Sequence, residues 1–397
     1  MSKTSGAISI SFVVPRYGTD VLGGAETATR RLAEALVRHS DTKVEILTTT
    51  AISLATWDNH YSPGNDSVNG IATKRFKVDS GRIPNFAEAT KRALAHPASL
   101  TLGEANEIIR LQGPVSNGLI DAVAESKSDV VVFYPYLYHP TTTGIFATSK
   151  TKVLHPAAHL EPMIHLPIFK DVFDRADGLV VQTIAEGRTV EDQFTAAQKP
   201  VLIFGPGTMP TSIYQDYEPK DFGLNARPFL LCLGRVDAPK GTTLLADLFA
   251  EYKLRNPSNL GLIIAGPIEI HPNPKPDVII TGAVTEEEKR QLLENCVALI
   301  SPSAFESFSI VLIEAWMNKK PVIVNALCEP TTEQVQRSGG GLVFHGYEDF
   351  EAALDILLSN PALSNALGES GYHYAMENYL WEKSIPRYLA FLRRLLT

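Results

Sequence analysis

The stretch Ser301-Pro-Ser-Ala-Phe-Glu306-Ser-Phe-Ser-Ile-Val-Leu-Ile-Glu314-Ala sets two carboxylates, Glu306 and Glu314, eight residues apart. The apolar run before Ser301 reads as a strand, the residues around Glu306 as a loop, and the residues from Ser309 as an amphipathic helix. Backbone N–H groups free at the start of such a helix would hold an anion such as a diphosphate, with the helix dipole assisting. The hydroxyls of Ser307 and Ser309 would add donors or cap the helix. Glu306, on the loop, could accept from sugar hydroxyls, and Glu314, two turns along the helix, could reach a second diol such as a ribose. The plainer alternative is a Glu306 that helps cap the helix and a Glu314 that is a solvated helix charge. Glu314 stands among Val311, Leu312, Ile313, Ala315 and Trp316, where a carboxylate is costly without a partner.

A second constellation is Leu231-Cys-Leu-Gly234-Arg235-Val-Asp-Ala-Pro-Lys240-Gly241. An apolar strand empties into a tight turn at Gly234, and a helix is expected from about Gly241. Arg235 and Lys240 then stand at the carboxyl end of the sheet, where two fixed cations could neutralise a leaving diphosphate and take the place of a metal ion. Surface residues beside a turn are the alternative for this segment by itself. A third is Gly23-Gly24-Ala-Glu26-Thr, between the first strand and the first helix. Paired glycines allow close approach of backbone to a ligand. The dinucleotide fingerprint G-x-G-x-x-G is not found there, so a nicotinamide enzyme is not supported.

His155, His159 and His165 invite a metal reading, but Pro156 and Pro162 would disrupt the helix that four-residue histidine spacing requires. No metal is expected. His155 follows an apolar run and could serve the cleft or simply be a satisfied structural histidine.

These residues need a scaffold, and the chain supplies one twice. Short apolar runs alternate with helical patterns, the signature of parallel sheets built from βαβ units. Strands are expected at 8–14, 44–48, 130–134, 153–155, 178–181 and 201–204, with a helix over 26–37. Gly205-Pro-Gly-Thr-Met-Pro210 and the polar stretch after it punctuate the pattern. The alternation resumes at 229–233, 262–265, 278–281, 297–301 and 321–324, with helices over 286–295 and from 242 and 309. The expected domains are therefore 1–205, a linker 206–228, a second domain 229–375, and a C-terminal helix 376–397 packing back on the first. The fold class is α/β, two Rossmann-like domains facing each other across a cleft at the carboxyl ends of their strands, where such sheets take ligands.

The 397 residues suit two domains. The formal charge of -8 argues against a nucleic-acid binder. One stretch runs the other way: Lys74, Arg75, Lys77, Arg82, Lys91 and Arg92 face only Asp79 and Glu88. It is a solvated surface, or a patch for anionic lipid head groups or an acidic acceptor. Cys232, Cys296 and Cys328 each lie in or beside apolar runs and read as buried free thiols. No signal-peptide core precedes the run at Ile8, and no run approaches the roughly 18 apolar residues of a membrane span. A cytoplasmic protein, at most peripheral to the inner face of a membrane, is expected.

Together these segments resemble glycosyltransferase family 4, retaining enzymes of the GT-B fold. The Glu306…Glu314 pair is similar to the family's Glu-x7-Glu motif, and Gly234-Arg235…Lys240-Gly241 to its donor-phosphate pair. The resemblance implies Arg235 and Lys240 on the diphosphate, Glu306 on the donor sugar, Glu314 on the ribose, and Gly23 and Gly24 close to phosphate and sugar. It further implies donor contacts from Gly234, from the backbone at Val284, and from Ser307, Phe308, Ser309 and Ile310, with His155 in a catalytic position. Two positions depart from the family pattern: Ser309 replaces a glycine, and Pro156 replaces the aspartate that often follows the histidine. The implied reaction needs no cofactor beyond the nucleotide-diphosphate sugar itself, and moves its sugar to a sugar or lipid-linked saccharide acceptor in surface polysaccharide or glycolipid synthesis. A non-catalytic glycan- or nucleotide-sugar-binding protein and a nucleotide-sugar isomerase of the same fold are the alternatives.

Overall fold

The computed structural model describes residues 7–21, 23–194, 199–208, 220–223 and 227–397. The chain forms two compact units, Met1–Gly207 with Trp381–Thr397, and Thr208–Leu380. Most of the expected linker, including Pro210, lies outside the described residues.

The first unit holds an eight-stranded sheet ordered β3-β4-β2-β1-β5-β6-β7-β8. Its strands are β1 (Ser9–Val14), β2 (Lys43–Thr49), β3 (Gly64–Val68), β4 (Ile71–Phe76), β5 (Val130–Phe133), β6 (Thr151–Leu154), β7 (Gly178–Val181) and β8 (Val201–Ile203). All neighbours are parallel except the hairpin β3–β4. The strands β5 and β7 are buried along their whole length, because helices cover both faces of a parallel sheet. The hairpin turns at Asn69-Gly70, both at positive φ, as a tight two-residue connection requires.

The helix Trp381–Leu395 belongs to this unit although it follows the whole of the second. It lies so close to β7 that a Cβ on Gly178 would stand 2.6 Å from Leu395 Cδ1, and Gly207 has no room for a Cβ beside Trp381. Arg75, one of the six basic residues expected to share a surface, is instead 3% exposed. It is bonded to Asp66 and to the Tyr17 carbonyl, each at 2.7 Å, and lies 3.9 Å over the Tyr61 ring. Lys74, Lys77, Lys91 and Arg92 are exposed.

The second unit is a six-stranded parallel sheet ordered β11-β10-β9-β12-β13-β14. Its strands are β9 (Phe229–Leu233), β10 (Gly261–Ala265), β11 (Val278–Gly282), β12 (Ala298–Ser301), β13 (Val322–Asn325) and β14 (Gly341–Phe344). Strand order reverses beside β9, the topological position at which doubly wound sheets open a crevice. On one face the helix Ile310–Met317 buries Leu312, Ile313, Ala315 and Trp316. The helix Pro361–Asn378 packs on it through small residues. A Cβ on Gly371 would overlap the Trp316 ring, and one on Gly368 would overlap the Lys319 carbonyl. Trp316 Nε1 donates to the Gly340 carbonyl at 2.9 Å.

This contact yields a stability prediction. Gly371→Ala adds one methyl where the indole already sits, and overpacking of a filled core costs about 1–3 kcal/mol. The melting temperature of the variant should fall by several degrees; an unchanged melting curve would show that the indole relocates freely.

Candidate functional site

The second unit builds its site from the loops that leave β9 and β12. Gly234 ends β9 at φ 144 and donates its N–H to the Ala265 carbonyl at 3.0 Å. Gly266, also at positive φ, lies so near that a Cβ on it would overlap the Gly234 oxygen. Two loops thus run backbone against backbone, which only glycine permits. Beyond the turn, Asp237 is 6% exposed, accepts from the Lys240 N–H at 2.8 Å and stands 3.3 Å from the Arg235 guanidinium. Gly241, at φ 70, caps the helix Thr242–Arg255 and comes so close to Pro302 that a Cβ would stand 2.7 Å from its carbonyl oxygen. The turn is fixed at both ends, and Lys240 Nζ lies 2.6 Å from Glu306 Oε1.

The loop after β12 is held from below. Asn325 donates to the Pro302 carbonyl at 2.9 Å, the Ser303 hydroxyl accepts from the Phe305 N–H, and Gln334 Nε2 donates to the Phe308 carbonyl. Phe308 is 2% exposed, packed in the core beneath the helix, so its side chain offers nothing to a ligand. Ile310 is half-buried against the same core. Ser309 precedes the helix Ile310–Met317 with φ 69 and ψ 81, and its side chain makes no cap hydrogen bond. The hydroxyl cap expected of it is therefore replaced by a left-handed backbone turn, the conformation for which a glycine is favoured.

Glu314 is not a solvated helix charge. Its side chain is 12% exposed, and Lys289 Nζ lies 3.1 Å away, itself 2.7 Å from Glu286. Lys289 belongs to the helix Glu286–Asn295, whose capping box at Thr285 follows directly on Val284. Val284 sits half-buried in the loop between β11 and that helix, packed on the core. The structure thus joins Lys240 to Glu306, and gives Glu314 and Arg235 partners, Lys289 and Asp237, that the sequence motifs do not announce. The spacing Asp237…Lys240 is a possible signal for the second, since an aspartate often bonds backbone a few residues on.

Gly23 and Gly24 belong to the first unit, after β1. Gly24 has no heavy atom within 4 Å of where a Cβ would stand, whereas the space beside Gly23 is filled by the Glu26 carboxylate. Glu26 is paired with Arg16, which also donates to the Ile52 carbonyl at 2.7 Å. His155 directly follows β6, is 6% exposed, and places Nε2 3.0 Å from Tyr388 Oη on the C-terminal helix. Burial pushes its pKa down to about 3, so it is a neutral ring. His159 is 3.8 Å from Glu161 and His165 is exposed. Among the described residues no group of three or more His, Cys, Asp or Glu side chains is arranged to hold a metal ion. Cys232, Cys296 and Cys328 are buried free thiols. The buried carboxyl of Glu186 ties two neighbouring loops together, accepting from Ala158 N–H at 2.8 Å and Gln182 N–H at 2.6 Å.

Residues 215–374 match the family model of the glycosyl transferases group 1. The chain is 33% identical over 94 residues to an alpha-1,3/1,6-mannosyltransferase, ALG2, of Dictyostelium discoideum. That match takes in 24% of this chain and 22% of the relative. Similarity to solved structures extends further. A sucrose-phosphate synthase from Thermosynechococcus elongatus superposes with a TM-score of 0.71 at 17% identity, covering 98% of this chain and 99% of that one. Anabaena Alr3699/HepE, solved with UDP and glucose, gives 0.68 at 14% identity over 98% and 100%. The fold of the whole chain is GT-B, two parallel-sheet α/β domains. Among the described residues no helix is long and apolar enough to cross a membrane.

The burial of His155 has a measurable consequence. Its pKa of about 3 in the folded chain lies below the ordinary 6.5, so the unfolded chain binds the proton first. The stabilisation is complete above pH 6.5 and is lost as pH falls toward 3. Glu186, pushed up to about 8 chiefly by burial, contributes with the opposite sign, losing stability between about 4.5 and 8. In a comparison of wild type with His155→Gln the Glu186 term cancels. The variant should lose less melting temperature between pH 7 and pH 5; parallel declines would rule out the neutral buried ring.

Proposed function

We propose that the chain is a retaining glycosyltransferase that moves a sugar from a nucleotide-diphosphate sugar to an acceptor hydroxyl. The observation that carries this reading is the Lys240–Glu306 pair, at 2.6 Å, set before the N-terminus of the helix Ile310–Met317 in a group 1 domain. A cation, a carboxylate and the N-terminal end of a helix meet on one loop, and these are the groups a sugar diphosphate needs at its junction. The oxygen bridging diphosphate and sugar gains charge as the bond to the anomeric carbon breaks. Lys240 and Arg235 stabilise that charge from positions fixed beforehand, which removes reorganisation from the barrier. Glu306, freed from Lys240 as the lysine turns to phosphate, accepts from sugar hydroxyls. Glu314, held in place by Lys289, takes the ribose hydroxyls, and the backbone at Val284 meets the base.

The donor class is supported by the relatives: HepE was solved with UDP and glucose, and the Dictyostelium relative is a mannosyltransferase. His155 is assigned to anchoring the C-terminal helix, since its buried, neutral ring is hydrogen-bonded to Tyr388. The acceptor is a sugar or lipid-linked saccharide in surface polysaccharide or glycolipid synthesis, met at the cytoplasmic face of the membrane. The exposed Lys74, Lys77, Lys91 and Arg92 suit a peripheral approach to anionic lipid.

The phosphate role is tested by Lys240→Ala. Loss of one preorganised donor lowers turnover by about 100-fold or more, measured as nucleoside diphosphate released from a panel of UDP, GDP and ADP sugars. A folded variant with normal turnover would sink the assignment. Omitting the acceptor separates transfer from isomerisation of the donor.

Because Arg235 and Lys240 supply the leaving-group electrostatics, chelation is the second test. Turnover should be the same with and without EDTA. Loss on chelation, restored by Mg²⁺ or Mn²⁺, would mean that the two side chains do not suffice.

A further inference from the structure

Charge also gathers in the first unit, at the carboxyl ends of β1, β2, β4 and β5. The centre is Trp57, 1% exposed, with a left-handed φ of 63. A bulky residue in that conformation persists only where its surroundings over-determine it. Here the indole N–H donates to the Gln112 carbonyl at 2.9 Å, and the Tyr138 ring meets it edge-on at 5.1 Å. Two guanidinium groups flank the indole, Arg16 at 5.8 Å and Arg82 at 5.9 Å from its centroid.

The two arginines differ in one respect. Arg16 is neutralised by Glu26. Arg82, half-buried, has no carboxylate partner among the described residues. Its Nε donates to the Gln112 carbonyl at 3.3 Å, and its guanidinium lies 5.5 Å from the Phe86 ring. Burial lowers its pKa and Arg16 adds like-charge repulsion, while Tyr138 acts the other way.

Nor is Arg82 free to swing into water. Gly81 has no room for a Cβ against the Thr56 carbonyl, and the Arg82 N–H donates to that same carbonyl at 3.1 Å. The loop is therefore pinned with a fixed cation at its tip. Beside it, Gln112 is 5% exposed, and its buried Oε1 has no hydrogen-bond partner. A half-buried cation without a counter-ion is unfavourable until a ligand supplies an anion.

We propose that Arg82 is a specificity residue, binding a phosphoryl group carried by the acceptor, with Trp57 and Gln112 holding it in place. This rests on the reading of the chain as a glycosyltransferase whose first unit takes the acceptor. Arginine matches a phosphoryl group with two parallel N–H donors, a geometry that lysine does not reproduce. A soluble sugar phosphate and the phosphate of a lipid-linked saccharide present the same chemistry.

The test uses the full chain, without donor, by calorimetry with glucose 6-phosphate and with glucose. A second arm measures co-sedimentation with phosphatidylcholine vesicles, plain or containing phosphatidylinositol. Wild type should prefer the phosphorylated probe in at least one arm, and Arg82→Gln should weaken that binding about tenfold or more. Arg82→Lys, which keeps the charge, should fall between them and guards against a misfolded glutamine variant. Loss in the calorimetric arm identifies a soluble acceptor, and loss in the vesicle arm a lipid-borne one. Equal affinity of wild type and Arg82→Gln in both arms, or no preference of wild type for phosphate in either, overturns the proposal. A parallel titration with UDP, GDP and ADP reports on the transferase reading alone. If none binds while the Arg82 effect persists, the subsite stands and that reading falls.

Discussion

How closely the helix Ile310–Met317 can lie against its neighbours decides what the second unit presents to a ligand. With eight residues it is too short to hold itself together in water, where helices below about a dozen residues are marginal. Its order comes from Trp316, wholly buried, bonded through its indole N–H to Gly340 and seated where Gly340 and Gly371 have no Cβ. Remove that seat and the left-handed turn at Ser309, the loop carrying Glu306 and the position of Glu314 all lose their support. The glycines that matter most to the site are thus on the far side of the helix from it.

The charges around that helix are arranged in pairs rather than singly. Lys240 faces Glu306, Lys289 faces Glu314 and Arg235 faces Asp237. Partly buried pairs of this kind gain little net stability, because desolvation offsets most of the Coulomb attraction. Their value lies in position. Each side chain is held in position by its partner, and on the proposed function a diphosphate would exchange one anion for another at Lys240 instead of ordering a loose chain. The entropy of fixing these long side chains is met during folding rather than at binding.

Most of this architecture could be read from residue order, for a physical reason. Strands such as Val130–Phe133 and Gly178–Val181 are covered on both faces, so burial alone writes them as unbroken apolar runs. The hairpin β3–β4 escaped because four of the five residues of Gly64–Val68 are exposed and carry no such mark; only Asn69-Gly70 signals it. Two segments that resemble family motifs pointed to Glu306 and to Lys240, whose contact spans 66 positions. The partners of Glu314 and of His155 could not be read in this way. Lys289 is one of two adjacent cations on a helix that also carries four glutamates, and Tyr388 lies 233 residues from the histidine it touches. Arg75 shows the limit most plainly: in sequence it is one of a row of basic residues, yet it alternates inward on β4 and is buried beneath Tyr61.

The return of the helix Trp381–Leu395 to the first unit has a consequence for how the chain is made. On the ribosome the second unit, Thr208–Leu380, is a continuous stretch and can complete its sheet as soon as it has emerged. The first unit emerges earlier but stays unfinished, with β7, Gly178 and His155 uncovered, until residues beyond 381 follow. The half of the molecule that is synthesised first is therefore the half that closes last, and throughout that interval it exposes an apolar groove that only its own C-terminal helix fills.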